Sequence, residues 1–168
     1  MPMSSYLRAL RGKVGHDLLM MPAVTVLMFD DDGRLLLAQE RESGLWMTIG
    51  GAIDPNEHPA DAAVREVWEE TGLLVEPIRV TGVFGGPEFC VTYANHDVVS
   101  YTTIVFEARV IGGRAQPDGE EAVALSYVSE HEASGLAMAP WTRVLVAEAF
   151  KWNDAAVFAL PTWSPPRL

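Results

Sequence analysis

Apolar residues along this chain recur with two periods, and the alternation between those periods outlines the elements. Between residues 4 and 14, Leu7, Leu10 and Val14 fall at helical spacing, which predicts a short helix or arm. Ala23 to Phe29 is rich in valine and predicts a buried strand. The turn Asp31-Asp32-Gly33 then leads into a second strand at Leu35 to Ala38, and together the two read as a hairpin. Gly44 to Gly51 is punctuated by glycine, with Trp46 and Met47 as strand residues. Pro59 to Thr71 is the clearest helix. Proline suits its first turn, and Gly72 suits a left-handed stop.

Leu73 to Phe84 reads as a strand in which Pro77 marks an edge or a bulge. Phe89 to Tyr93 and Val98 to Val110 read as paired strands around the polar turn 94–97, after the turn Gly85-Gly86-Pro87. Gly112-Gly113 and Pro117-Asp118-Gly119 punctuate a loop before a last strand, Ala122 to Val128. Trp141 to Lys151 predicts a second helix, and Pro161 to Leu168 an extended tail. Many strands and two main helices predict one α/β or α+β domain, with neither repeats nor low-complexity segments.

The length of 168 residues agrees with about one domain. A 49% apolar and 21% charged composition is that of a globular chain. A net charge of −11 makes nucleic acid and anionic membranes poor partners and metal cations natural ones. The single cysteine, Cys90, makes neither an intrachain disulfide nor a cysteine zinc site. It reads as a small buried apolar residue, and the chain fits a reducing cytoplasm. The longest apolar stretch, Leu18 to Phe29, is broken by Pro22 and is too short to span a membrane. Basic residues precede it, but it runs into an Asp-Asp-Gly turn rather than a cleavage site, so it reads as a strand of an unprocessed protein.

The candidate chemistry lies on the Pro59 to Thr71 helix. At about 100° per residue, Glu66, Glu69 and Glu70 share an arc of roughly 100°. Ala60, Ala63, Val64, Val67 and Thr71 fill the neighbouring arc and can face a core, so the acids border the packed side. Like charges three or four residues apart repel, and a divalent cation offsets that repulsion. Oxygen-only ligands favour Mg²⁺ or Mn²⁺ over zinc. Arg65 stands four residues before Glu69 and can reach back toward Glu57.

The longer stretch runs Gly51, five residues, Glu57, seven residues, then Arg65-Glu66-Val67-Trp68-Glu69-Glu70-Thr71-Gly72-Leu73. It resembles the box of the Nudix hydrolases at all nine specified positions over 23 residues, seven of which demand one residue type. The order of elements between about residues 20 and 150 also resembles the Nudix fold, an α/β/α sandwich with mixed β-sheet. The implied layout is an N-terminal arm at 1–19, the Nudix domain at 20–152 and an extended tail at 153–168. Three positions depart from common family habit: Ile49 where many members have proline, and Asp54 and Asn56 where many have glutamate and glycine.

The resemblance implies metal-assisted attack of water on the diphosphate bridge of a nucleoside diphosphate linked to another group. ADP-ribose or a nucleotide sugar is the first expectation. Nucleoside triphosphates, dinucleoside polyphosphates and a catalytically silent nucleotide-binding module are the alternatives. It implies Glu66, Glu69, Glu70 and the Gly50 carbonyl as ligands of Mg²⁺ or Mn²⁺, with Glu57 and Arg65 orienting the acids. Catalytic roles fall to Glu66, Glu69 and a base. Among Asp118, Glu120 and Glu121, the spacing of Glu121 from Tyr127 makes it the preferred base. Arg41, Phe84 and Tyr93 are the substrate-binding candidates, with Phe89 and Tyr101 in the same aromatic region. An allyl diphosphate isomerase is disfavoured, because Cys90 stands too late in the chain. The N-terminal arm and the segment Trp152 to Trp163 offer apolar surface for a homodimer.

Overall fold

The computed structural model describes residues 4–162. Helix α1, Ser5–Val14, is capped by the Ser4 hydroxyl, which accepts from the Leu7 amide at 3.2 Å, and stops at Gly15 with φ 62°. Strand β1 (Leu19–Leu27) lies between β4 (Ile49–Ala52) and β7 (Val98–Gly113). It pairs antiparallel with the first and parallel with the second. The other edge of β7 carries β5 (Leu73–Phe84) and then β6 (Cys90–Thr92), both antiparallel. A second, three-stranded sheet has the order β3 (Trp46–Met47), β2 (Leu35–Glu40), β8 (Ala122–Val128).

Helix α2, Pro59–Thr71, covers one apolar cluster built on Val24, Val26, Leu36, Ile49, Val67 and Phe106. Helix α4, Pro140–Ala149, covers another built on Leu27, Leu37, Val105, Leu145 and Val146. Alternation along β1 and β7 divides the strands between them: Val24, Val26, Ile104 and Phe106 face α2, and Leu27 and Val105 face α4. The result is the α/β/α sandwich with a mixed sheet.

Several expectations are corrected. β1 and β2 do not form a hairpin. A single bridge, between Phe29 just past the end of β1 and Leu35, closes the turn, and the two strands lie in different sheets, because β4 and β7 occupy both edges of β1. Ile49–Ala52 is a strand of its own. On α2, Ala62 takes the inward position expected for Ala60, which is exposed. Cys90 is exposed, since Phe89 beside it turns into the core instead. The short helix α3, Glu130–Ser134, was not anticipated. Its signal is the capping pair Ser129 and Glu132, with the Ser129 amide donating to Glu132 Oε2 at 2.8 Å.

Pro77 satisfies both of its readings. It lies on the outer strand β5, at a shift of register between Pro77 and Arg79. The segments expected to offer surface for a homodimer expose Tyr6 and Leu18 at one end and Trp152, Phe158 and Leu160 at the other. Trp163 and the rest of the expected tail lie outside the described residues. Among the described residues, no helix is long and apolar enough to cross a membrane.

Candidate active site

The site is built where α2 crosses the edge strand β4. Two glycines let the helix come this close. Gly50 has φ 148°, and a Cβ there would lie 2.2 Å from the Val24 carbonyl oxygen. A Cβ on Gly51 would lie 2.6 Å from the Glu66 carboxylate, so that acid rests directly on the glycine backbone. The turn into α2 passes through Asn56 at φ 66°, a conformation that asparagine tolerates better than most residues. This explains why asparagine can stand where many relatives of the box carry glycine. Ile49, another of the three departures, is fully buried and pairs with Val26.

Arg65 organises the acids. Its Nε donates to Glu57 Oε1 at 2.7 Å and its Nη2 to Glu57 Oε2 at 2.8 Å, a two-pronged grip. Nη2 also donates to the Ala52 carbonyl at 3.0 Å, and Nη1 donates to Glu66 Oε1 at 2.7 Å and to Glu69 Oε2 at 3.1 Å. Glu57 in turn accepts from the Asp54 amide at 2.9 Å and locks the loop before the helix. The Arg65 guanidinium holds the Glu57 carboxyl below its usual range.

The other two acids behave oppositely. Glu66 is 4% exposed, and burial raises its carboxyl despite Arg65. Burial pushes Glu70 up to about 8, and the charge of Glu66 adds to the rise. The Gly50 amide, donating to Glu70 Oε1 at 3.2 Å, opposes that rise. Two adjoining carboxyls that resist ionisation, with oxygen as their only donor atom, suit a hard divalent cation. Among the described residues, no three acidic, histidine or cysteine side chains converge into a ready cage. Glu69, with its side chain 40% exposed, turns instead to Arg65.

The loop that carries the remaining candidate acids is tied to the end of α2. The Asp118 amide donates to the Glu70 carbonyl at 3.3 Å and the Gln116 amide to the Thr71 carbonyl at 2.9 Å. The Asp118 carboxylate accepts from the amides of Glu120, Glu121 and Ala122, and its charge contributes to the rise at Glu70. Glu121 is exposed on this loop, and its carbonyl accepts from the Arg41 amide at 2.7 Å. Arg41 also donates through Nε and Nη2 to the Gly119 carbonyl. Its cation therefore fastens the acid-bearing loop, a role that sequence spacing did not signal.

Phe84 is not brought to the acids. It stacks on Phe89 at 6.2 Å between centroids and packs into the cluster under α4. Tyr93, half-exposed, shares a hydrogen bond of 2.6 Å with Tyr101 through the two hydroxyls.

The model of the NUDIX domain matches residues 19–149, most of the chain. The chain belongs to the Nudix family. Nudix hydrolases act on phosphoric anhydride bonds and generally need divalent cations. A MutT-like protein of Streptomyces ambofaciens is 30% identical over 112 residues, covering 67% of this chain and 66% of that protein. The match thus spans just under two thirds of that relative's length. The crystal structure of a MutT protein from Methanosarcina mazei superposes with a TM-score of 0.65 at 24% identity, over 83% of this chain and 99% of that one. The crystal structure of an ADP-ribose pyrophosphatase from Streptococcus suis gives 0.61 at 24%, over 82% and 96%. At these identities the two structures support the Nudix fold alone.

Proposed function

We propose that this chain is a divalent-cation-dependent pyrophosphohydrolase. It cleaves a nucleoside diphosphate linked to another group, with ADP-ribose or a nucleotide sugar as the leading substrate. The observation that carries the reading is the seating of buried Glu66 on Gly51, with Glu70 against the Gly50 amide and Arg65 holding Glu57, Glu66 and Glu69. A silent module has no need of an acid cluster held in place at this cost in desolvation.

Glu66 and Glu70, with Glu69 and the Gly50 carbonyl, would hold Mg²⁺ or Mn²⁺. Such an ion, when bound, supplies charge neutralisation for the diphosphate and acidifies water. Glu57 and Arg65 keep the acids aimed. Water adds to one phosphorus, the bridging P–O bond breaks, and the water proton passes to a carboxylate. We assign that base to Glu121, on the loop fastened to α2 by Asp118 and to Arg41 by Gly119.

The test is product release from ADP-ribose, nucleotide sugars, dinucleoside polyphosphates and nucleoside triphosphates, with millimolar Mg²⁺ or Mn²⁺. One substrate turned over far faster than the rest, with that activity lost in Glu70→Gln, supports the reading. Silence across the panel from a protein that binds Mn²⁺ overturns it in favour of a binding module.

A further inference from the structure

The segment that joins β7 to β8 is anchored twice, and the two anchors are unlike. At the first, alternate residues climb the end of α2. The amides of Arg114, Gln116 and Asp118 donate to the carbonyls of Gly72, Thr71 and Glu70 at 3.1, 2.9 and 3.3 Å. The last carbonyls of a helix have no partner inside it, and this ladder supplies one for each of these positions. Its final rung is the backbone of Glu70, the acid beside the Gly50 amide. Asp118 is thus fixed relative to the acid site by backbone contacts.

The second anchor is a single side chain. After Asp118 the chain turns at Gly119, with φ 77°, and the Gly119 amide donates to the Ala122 carbonyl at 2.9 Å. The Asp118 carboxylate gathers the amides of Glu120, Glu121 and Ala122 at 3.1, 3.1 and 2.8 Å. Opposite this turn, the pairing of β2 with β8 shifts register between Gln39 and Glu40. Such an irregularity re-aims the side chains that follow it. Arg41 then turns onto the loop. Its Nε donates to the Gly119 carbonyl at 3.0 Å, its Nη2 donates to the same oxygen, and its amide donates to the Glu121 carbonyl at 2.7 Å. An arginine that binds a phosphate directs its fork at the ligand. Here two prongs of the fork are spent on a backbone oxygen two residues before Glu121.

We propose that Arg41 is a positioning residue for the hydrolytic reaction, which acts on turnover through Glu121 by holding the Gly119 turn against the end of β2. The proposal rests on the hydrolase reading and on Glu121 as its base. Its consequence is specific: loss of the grip costs turnover only while the Glu121 carboxylate is there to be aimed.

Steady-state kinetics of the full chain on its best substrate, at saturating Mg²⁺, compare wild type, Arg41→Gln, Glu121→Gln and the double variant. Melting temperatures and Mn²⁺ binding are measured on the same preparations. Arg41→Gln lowers kcat about tenfold, as a misaimed base would. KM and Mn²⁺ affinity stay within about threefold, because neither substrate nor cation has lost a contact. In the Glu121→Gln background the same substitution costs less than about twofold, so the two losses do not add. If Arg41→Gln does not fold, Arg41→Lys decides by the same pattern with a smaller loss, since it keeps the charge without the fork.

A tenfold rise in KM with kcat spared overturns the proposal, because Arg41 then touches substrate. An unchanged kcat overturns it, and so do equal losses in the two backgrounds. Each of these leaves the hydrolase reading standing. A fully active Glu121→Gln overturns the base assignment and the proposal together, while hydrolysis itself is retained. A wild type that hydrolyses nothing overturns the hydrolase reading, and the proposal falls with it.

Discussion

On the α2 side of the five-stranded sheet, one arginine ties three carboxylates and a carbonyl together above a pair of glycines. On the α4 side, Leu27, Val105, Leu145 and Val146 pack together, and the charged groups that line the cavity beside them include Arg79 and Glu107, paired at 2.8 Å, rather than a cluster of carboxylates. Both helices bury an apolar stripe against the same strands, so both contribute to folding. Only α2 also sets carboxyls that resist ionisation along its buried border. Chemistry in this chain is thus concentrated on the face where stability is given up, and the other face supplies the packing that tolerates it.

The contrast can be broken most sharply at Glu70. Glu70→Gln lowers kcat on the order of a thousandfold, equivalent to about 4 kcal/mol of transition-state stabilisation, with the melting temperature unchanged or higher. The check is steady-state kinetics beside thermal denaturation. Gly51→Ala comes next. Its methyl would meet the Glu66 carboxylate at 2.6 Å, so the acid must move. A displacement near 1 Å lowers kcat by about a hundredfold. Circular dichroism should show a folded protein.

These two positions also show what was legible beforehand. The spacing of Gly51, Glu57, Arg65, Glu66, Glu69 and Glu70 is local, because one loop and one helix carry it, and the structure keeps it as a unit. Arg65 reaching both Glu57 and Glu69 follows from a helical repeat and a fixed fork. The hairpin expectation failed because partner choice for β1 depends on β4 and β7, far along the chain. The use of Arg41 as a fastener for Gly119, 78 residues away, and of Arg11 for the turn at Asp97, could not be read from neighbours either. Side-chain contacts between distant segments leave no periodic trace.

The α4 face answers in the opposite currency. Leu145→Ala, at a site 2% exposed, costs about 2–5 kcal/mol of stability, while kcat at a temperature where the variant is folded stays within about twofold. Denaturant titration and kinetics on one preparation measure both.

The smallest expected effect is the dependence of the cation-free protein on pH. Glu70 titrates near 8 in the folded chain against 4.5 in the unfolded one, and Glu66 is displaced in the same direction. Below about pH 4.5 both states hold these protons. As pH rises toward 8 the unfolded chain releases them first, so folding stability falls across that window. A chelated sample should lose several degrees of melting temperature between pH 5 and pH 8. Glu70→Gln should lose less, and saturating Mn²⁺ should restore most of the loss in wild type.

The most direct test of the central claim is an electron paramagnetic resonance titration of Mn²⁺, run in parallel with hydrolysis of the best substrate, on wild type and Glu70→Gln. The account predicts that wild-type turnover rises with Mn²⁺ occupancy. It also predicts that Glu70→Gln binds the ion at least about tenfold more weakly and turns over little even when loaded. Equal Mn²⁺ affinity and equal turnover in the two proteins would contradict it.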